Sequence, residues 1–388
     1  MTEHSLLGAS SAHRWLNCPG SFKLSQTAPH RPSSIYAATG TLAHEYIERA
    51  VHNRSFACDE SDLGREVLQD GIMVPVSRAL IDGANIMLDY LLNVVALSDW
   101  ADVEFRVDLA DYFPVPPPVP VFGTIDAAAH TWATETLEVI DYKNGAGVAV
   151  TVTENPQLLF YAAGVLHRLP TAQRDRVRTI KLTIVQPNAG SAPIRSWELD
   201  VVDLLMWVDE VLVPGVDACT RDDAPLNPGA WCRFCPVSHA CPRLMADAVE
   251  MAKMEFDDIP GDPGELARAL ETAERAELWI ARIREFATDQ LQRQVRIPGW
   301  GLVPTRPTRK WLYPDTDVAS RLAVLGAVHD DVWETRIRSP AQIERQLSRT
   351  RGGRRIWSEA ATMVEARSSG LKLGRDGTTD PREDFTDE

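Results

Sequence analysis

Two hydrophobic rhythms alternate along the chain. Thr39 to Arg54, "TGTLAHEYIERAVHNR", spaces apolar side chains three and four apart, which predicts an amphipathic helix. Ser77 to Leu97, "SRALIDGANIMLDYLLNVVAL", keeps that spacing over a longer run. The mixed acidic stretch between them predicts no element. The rhythm then shifts to period two in "ADVEFRVDLA", a strand. "DYFPVPPPVPV" follows as a connector, because proline fixes φ and cannot donate to a ladder. "VFGTIDAAAH" (Val121 to His130) and "TLEVIDYKNG" (Thr136 to Gly145) are strand-like runs, and the polar link "TWATE" makes them a hairpin. "NPQLLFYAAGVLHRL" (Asn155 to Leu169) is a helix, with Asn to cap it and Pro suited to its first turn. "RTIKLTIVQPN" is a strand, and "SWELDVVDLLMWVDEVLVPGVDAC" is a short strand running into a helix. The succession is that of an α/β protein.

Past Met251 the character changes. "PGELARALETAERAELWIARIREFATDQLQRQ" predicts a long helix, and "GWGLVPTRPTRKWLYP" opens a small strand-containing unit. The expected division is a main domain over 1–250, a helical linker over 251–298, a small C-terminal α+β domain over 299–373 and a disordered acidic tail over 374–388.

A hydrophobic fraction of 44% with 24% charged residues is that of a globular chain, so a large buried core is expected. No apolar run is read as reaching the roughly 18 residues of a membrane span, and no basic start with an apolar stretch marks a secretory leader. The expected compartment is the cytoplasm, where clustered thiols bind metal more often than they form disulfides. A net charge of −15 argues against general binding to polyanions. Two local patches, "TRPTRKWLYP" and "RTRGGRRIW", could still grip a nucleic-acid backbone, or be solvated basic faces. No phosphate-binding G-x-x-x-x-G-K-[ST] loop occurs, so no ATP-driven motor is expected in this chain.

Chemistry concentrates in the hairpin. Asp141 and Lys143 are two apart at a strand end and share a face, and Asp126 can reach that face from the preceding strand. Two carboxylates can hold Mg²⁺ or Mn²⁺ through hard oxygen ligands, with the Tyr142 carbonyl as a further ligand. A lysine beside them can orient water and offset charge growing on a phosphate. The ordinary alternative for Asp141 and Lys143 is a surface salt bridge. With only six lysines in the chain, one beside two aspartates stands out. Gln157 and Tyr161, four apart, share a face of the next helix and could face the same site. His44 lies on the first long helix as an acceptable metal ligand. Glu104, in "VEFRV", is a weaker candidate, since an exposed strand Glu is the commoner explanation.

His44, "GTIDA" with Asp126, "VIDYKNG" with Asp141 and Lys143, and "QLLFY" with Gln157 and Tyr161 come in a fixed order. The pattern resembles the RecB-like nucleases of the PD-(D/E)xK superfamily. That resemblance implies a restriction-endonuclease-like core, a mixed sheet flanked by helices. It also implies Mg²⁺- or Mn²⁺-dependent hydrolysis of DNA phosphodiesters. His44, Asp126, Asp141 and the Tyr142 carbonyl would bind metal, Lys143 would be the catalytic lysine, and Gln157 and Tyr161 would match a Q-x-x-x-Y element near DNA. Asn144 stands where many relatives carry Thr.

Cys232, Cys235 and Cys241, in "CRFCPVSHACP", have the spacing C-x₂-C-x₅-C, and Cys18 lies far upstream in "LNCPGS". Four thiolates suit zinc or an iron–sulfur cluster, and His239 could replace one of them. Some RecB-like nucleases, the AddB subunit and the CRISPR-associated exonucleases among them, are similar in having one cysteine before the nuclease motifs and three after. The resemblance implies a [4Fe–4S] cluster stapling the two ends of the nuclease domain. Cys58 and Cys219 are expected to be ordinary free thiols. The whole chain is also similar to a family of phage and prophage proteins. The expected function is thus an exonuclease in phage replication or recombination, acting on single-stranded DNA or duplex ends. Its expected partners are a recombinase or a single-strand-binding protein. The contrary expectation is an inactive DNA-binding scaffold on the same fold.

Overall fold

A computed structural model describes residues 5–28, 34–145, 149–189, 192–253 and 262–301, with the single positions Arg345 and Ser358. All but the start of the expected C-terminal domain, with its two basic patches and the acidic tail, lies outside the described residues. One compact unit runs to Thr305 and a second begins at Arg306.

The N-terminal part of the first unit is helical around one small hairpin. Helix α1 (Ala12–Asn17) and α2 (Gly20–Gln26) precede α3 (Ile35–His52), and β1 (Glu66–Gln69) pairs antiparallel with β2 (Ile72–Pro75) before α4 (Arg78–Leu97). Ser34 and Ser77 cap α3 and α4 by accepting the amide hydrogens of Ala37 and Leu80. The β1–β2 hairpin occupies the stretch where no element was expected. Its signal is the dipeptide Asp70-Gly71, whose positive φ values of 50° and 79° fit a tight hairpin turn. By length and composition α4 could cross a membrane. Here it buries Leu80, Ile81, Ala84, Met87, Leu88 and Leu91, as a core helix does.

The main sheet has five strands in the order β3 (Trp100–Asp108), β4 (Phe122–Thr131), β5 (Thr136–Tyr142), β6 (Thr179–Val185) and β7 (Ile194–Asp200). Only β5 and β6 are parallel. Parallel neighbours need a crossover, and α5 (Pro156–Arg168) with the short α6 (Thr171–Arg174) supplies it. After β7 the chain forms α7 (Val201–Trp207), one π-helical turn (Val208–Leu212) and α8 (Val213–Thr220). The cysteine loop contains two 3₁₀ turns, Ala230–Phe234 and Ser238–Ala240, and leads to α9 (Pro242–Lys253) and α10 (Pro263–Gln292).

Helices cover both faces of the sheet, so its central strands β5 and β6 are largely buried on both sides and mostly apolar, with Glu138, Asp141 and Thr183 as buried polar exceptions. On one face α1, α5 and α7 to α8 pack with Leu137, Val139, Ile180 and Leu182. On the other, α3 and α4 pack with Ala127, Ile140, Tyr142 and Val185. Neighbouring β5 residues thus serve opposite cores, as strand alternation requires. The α/β class and the mixed sheet between helices are therefore present. Helix α10, expected as part of a linker, lies in the first unit and packs on the cysteine loop.

Candidate metal centre and cysteine clasp

The site forms where β4 leaves β5. Their pairing runs from Thr131↔Thr136 to Ala127↔Ile140 and goes no further. The next rung would set Asp126 opposite Asp141. Instead the Asp126 carboxylate takes the bond a backbone carbonyl would have made: Oδ2 accepts the Tyr142 amide hydrogen at 2.6 Å. The β3–β4 ladder is also broken at this level, between Val103↔Ala127 and Phe105↔Ile125. The skipped residue on β3 is Glu104, which has a positive φ of 47°. Such a conformation is uncommon for a non-glycine residue and is worth a functional explanation. Glu104, Asp126 and Asp141 thus lie along one rung of three neighbouring strands.

Helix α3 brings His44 to this rung. Its Nδ1 is 3.5 Å from both Glu104 Oε1 and Asp126 Oδ1. The three side chains offer ligand atoms within 4.8 Å of one another, a spacing that suits one cation. Glu104 is therefore not the exposed strand residue of the commoner explanation. The Tyr142 ring stands edge-on to the His44 ring, with centroids 5.4 Å apart at 86°. Burial opposes charge on His44, but Asp126, Glu104 and Asp141 outweigh it and raise its pKa to about 9. Burial is also the main cause raising the Asp126 pKa, against the pull of His44. A half-buried pair of acids beside one imidazole is a chemically coherent cation site.

Asp141 projects to the α5 side. Lys143 Nζ lies 3.0 Å from its Oδ1 and 2.9 Å from its Oδ2. Oδ1 also accepts from Gln157 Nε2 at 3.1 Å, whereas buried Oδ2 has the ion pair but no well-directed hydrogen bond. Burial raises the Asp141 pKa to about 6 despite the adjacent ammonium, and Asp126 adds to the rise. Gln157 Oε1 accepts from Lys143 Nζ at 3.0 Å, and Gln157 Nε2 also lies 3.3 Å from the Tyr161 hydroxyl. Asn155 accepts the Gln157 and Leu158 amides and starts α5 so that this face meets β5. Tyr161 reaches the site because residue 123 is glycine: a Cβ there would stand 2.8 Å from its ring. The fold thus gathers His44, Asp126, Asp141, Lys143, Gln157 and Tyr161 at one end of the sheet, and adds Glu104.

The family model described as "Protein of unknown function (DUF2800)" matches residues 4–375. The chain belongs to the DUF2800 family. This DUF2800 chain has a second cluster, formed by its cysteines. Cys18, Cys232, Cys235 and Cys241 are all buried, and Cys232 and Cys235 each lie within electrostatic reach of the other three or two. Burial raises the Cys232 thiol to about 11, opposed by the Gly229 amide and aided by the neighbouring sulfurs. Cys18 Sγ accepts from the Asn227 amide at 3.3 Å, and Cys232 Sγ from the Gly229 amide at 3.4 Å. Backbone donors aimed at sulfur suit thiolate ligands.

Other bonds join the two ends of the domain at this clasp. Asn227 Nδ2 donates to Asn17 O, Lys23 pairs with Asp222 at 2.8 Å, and the Gly20 amide donates to Pro225 O. Gly20 permits that approach, since a Cβ would meet Ala224 O at 2.6 Å. Helix α10 covers the loop: Trp279 Nε1 donates to His239 O, and the Phe286 ring stacks on His239 at 4.0 Å and 11°. His239 is thereby engaged by an aromatic face. Cys58 and Cys219 are buried outside the clasp; the Cys58 amide donates to Asn85 Oδ1, and Cys219 Sγ donates to Trp15 O.

Proposed function

We propose that this protein is a divalent-metal-dependent DNA nuclease of the RecB-like PD-(D/E)xK type, acting as an exonuclease in phage replication or recombination. The observation that carries the reading is the convergence at the β4–β5 fork. His44, Glu104 and Asp126 form a cation-sized cluster there, beside a lysine held by Asp141 and Gln157. An Mg²⁺ or Mn²⁺ ion bound there, with the Tyr142 carbonyl as a further ligand, would polarise a scissile phosphate and acidify its water. Lys143 would orient the attacking water and offset charge on the phosphate. Asp141 keeps the ammonium charged, since the pair raises the Lys143 pKa against the effect of burial. Gln157 fixes the lysine rotamer, and Tyr161 holds Gln157. Retention of every one of these polar contacts argues against an inactive scaffold.

For the four cysteines we propose a [4Fe–4S] staple. What supports the reading is the set of four buried cysteines, one upstream and three downstream, with Cys18 Sγ and Cys232 Sγ each accepting a backbone amide as ligated thiolates do. The staple closes a loop of over two hundred residues and so disfavours the unfolded chain.

The test is Mn²⁺-dependent degradation of end-labelled single- and double-stranded DNA by anaerobically purified protein, with metal analysis alongside. Cleavage lost in Asp141→Ala and Lys143→Ala, with the fold and iron retained, is the expected result. Wild-type protein that binds DNA without cutting it points to the scaffold. Colourless, iron-free protein with zinc on the four thiols overturns the cluster.

A further inference from the structure

Backbone pairing between β5 and β6 ends beside the metal centre. Tyr142↔Val185 is the last pair, and the Lys143 amide donating to Val185 O at 2.9 Å is the last backbone bond. Among the described residues, Asn144 and Gly145 pair with no strand. Side chains from the end of β6 take over the pairing.

Gln186, only 2% exposed, does most of this. Its Nε2 donates to Gly145 O at 3.1 Å, and its Oε1 accepts from the Val150 amide at 2.9 Å. One carboxamide thus mimics a backbone peptide, donating to Gly145 and accepting from Val150. Arg195, on β7, orients that carboxamide: its Nη2 donates to Gln186 Oε1 at 2.7 Å and to Val150 O at 3.3 Å. The Gln186 amide in turn donates to Pro193 O at 2.7 Å, which fixes the backbone from which its side chain springs. Asn188 adds a parallel grip, its Nδ2 donating to Asn144 O at 3.1 Å. Asn144 Oδ1 accepts from the Tyr142 hydroxyl at 3.3 Å, so the same segment also reaches the ring that supports His44.

We infer that Gln186 is a positioning residue for Lys143, acting through Gly145. The inference rests on the nuclease reading. Val185 O fixes Lys143 on one side, and Gln186 fixes the carbonyl two residues further on. Held at both ends, the lysine backbone is restrained, which keeps its Nζ between Asp141 and Gln157. With Gly145 released, the side-chain metal ligands on α3, β3 and β4 remain in place while the lysine loses its aim. Misplacement by about 1 Å can cost on the order of 100-fold in rate. A buried amide serving the fold alone would give a different signature, in which stability and activity fall together.

Gln186→Glu separates the two roles. It keeps an acceptor for Val150 and for Arg195 but loses the donor to Gly145 O. Gln186→Leu removes all of these bonds. Rates are read in single turnover at saturating DNA and Mn²⁺, beside thermal midpoints, Mn²⁺ affinity by calorimetry, and amide exchange at Val150. For Gln186→Glu we expect the saturating rate to fall about tenfold or more. Its KM for DNA, Mn²⁺ affinity and thermal midpoint should stay near wild type. Val150 should lose exchange protection in Gln186→Leu. Wild-type rates in both variants, with Lys143→Ala inactive, overturn the inference. A rate loss that merely tracks lost stability or lost Mn²⁺ affinity also overturns it. No cleavage by the wild type removes the nuclease reading itself, and the control identifies that failure separately.

Discussion

The fork and the clasp are built by opposite means. At the fork, most of the candidate side chains are aimed by secondary structure: a broken rung, a capped helix, a carboxylate taking a backbone amide. The partners lie on neighbouring strands and helices, and the hydrogen bonds among them are complete enough to hold the arrangement. At the clasp, short 3₁₀ turns and loops carry the cysteines, and Cys18 lies more than two hundred residues before the other three. Few backbone bonds cross that junction. One region is shaped by its architecture, whereas the other shapes the architecture around it. Substitutions at the fork should therefore change chemistry and spare the fold, and substitutions at the clasp should do the reverse.

The sharpest contrast comes from Lys143→Ala, which should lower cleavage by roughly 100- to 10,000-fold while the thermal midpoint moves little. A midpoint drop matching the activity loss would erase the distinction. At the clasp, Cys18→Ser should lose iron and lower the midpoint by roughly 10 °C or more, as far as Cys235→Ser does. If only the three downstream cysteines matter in metal analysis and melting, the long-range staple fails. Glu104→Gln should weaken Mn²⁺ binding by about tenfold with little change in stability, as read by calorimetry. An unchanged affinity would remove Glu104 from the ligand set. Trp279→Ala should destabilise the clasp by about 1–2 kcal/mol through lost packing and the lost bond to His239, without altering the saturating cleavage rate. The smallest effect is expected from Gly71→Ala, about 1 kcal/mol by melting, because only the hairpin turn needs that positive φ.

What was legible in the sequence follows the same division. The α3, α4, β3 to β7, α5 and α10 rhythms were readable because each element buries one continuous face. Asp126, Asp141 and Lys143 were readable because strand alternation alone puts them together. Glu104 was not, since nothing in "VEFRV" announces a broken ladder or a positive φ. The β1–β2 hairpin was masked because each strand is only four residues long and exposes apolar Leu68 and Met73, which blurs the alternation, although Asp70-Gly71 carried the turn. Gln186 and Asn188 escaped because their role arises from where parallel pairing stops, a tertiary event without a local pattern. The docking of α10 escaped likewise: its contacts with the cysteine loop are a few aromatic and arginine side chains on a mostly polar helix.

The broken rung also bears on how distant relatives would be found. Glu104, Asp126 and Asp141 are separated in the chain by the proline-rich connector and by the "TWATE" link, yet in space by strand spacings of about 4.8 Å. Both connections lie away from the rung, so either can grow or shrink while the three acids remain abreast. Motif spacing is then a poor fossil of common descent here, and strand register a durable one.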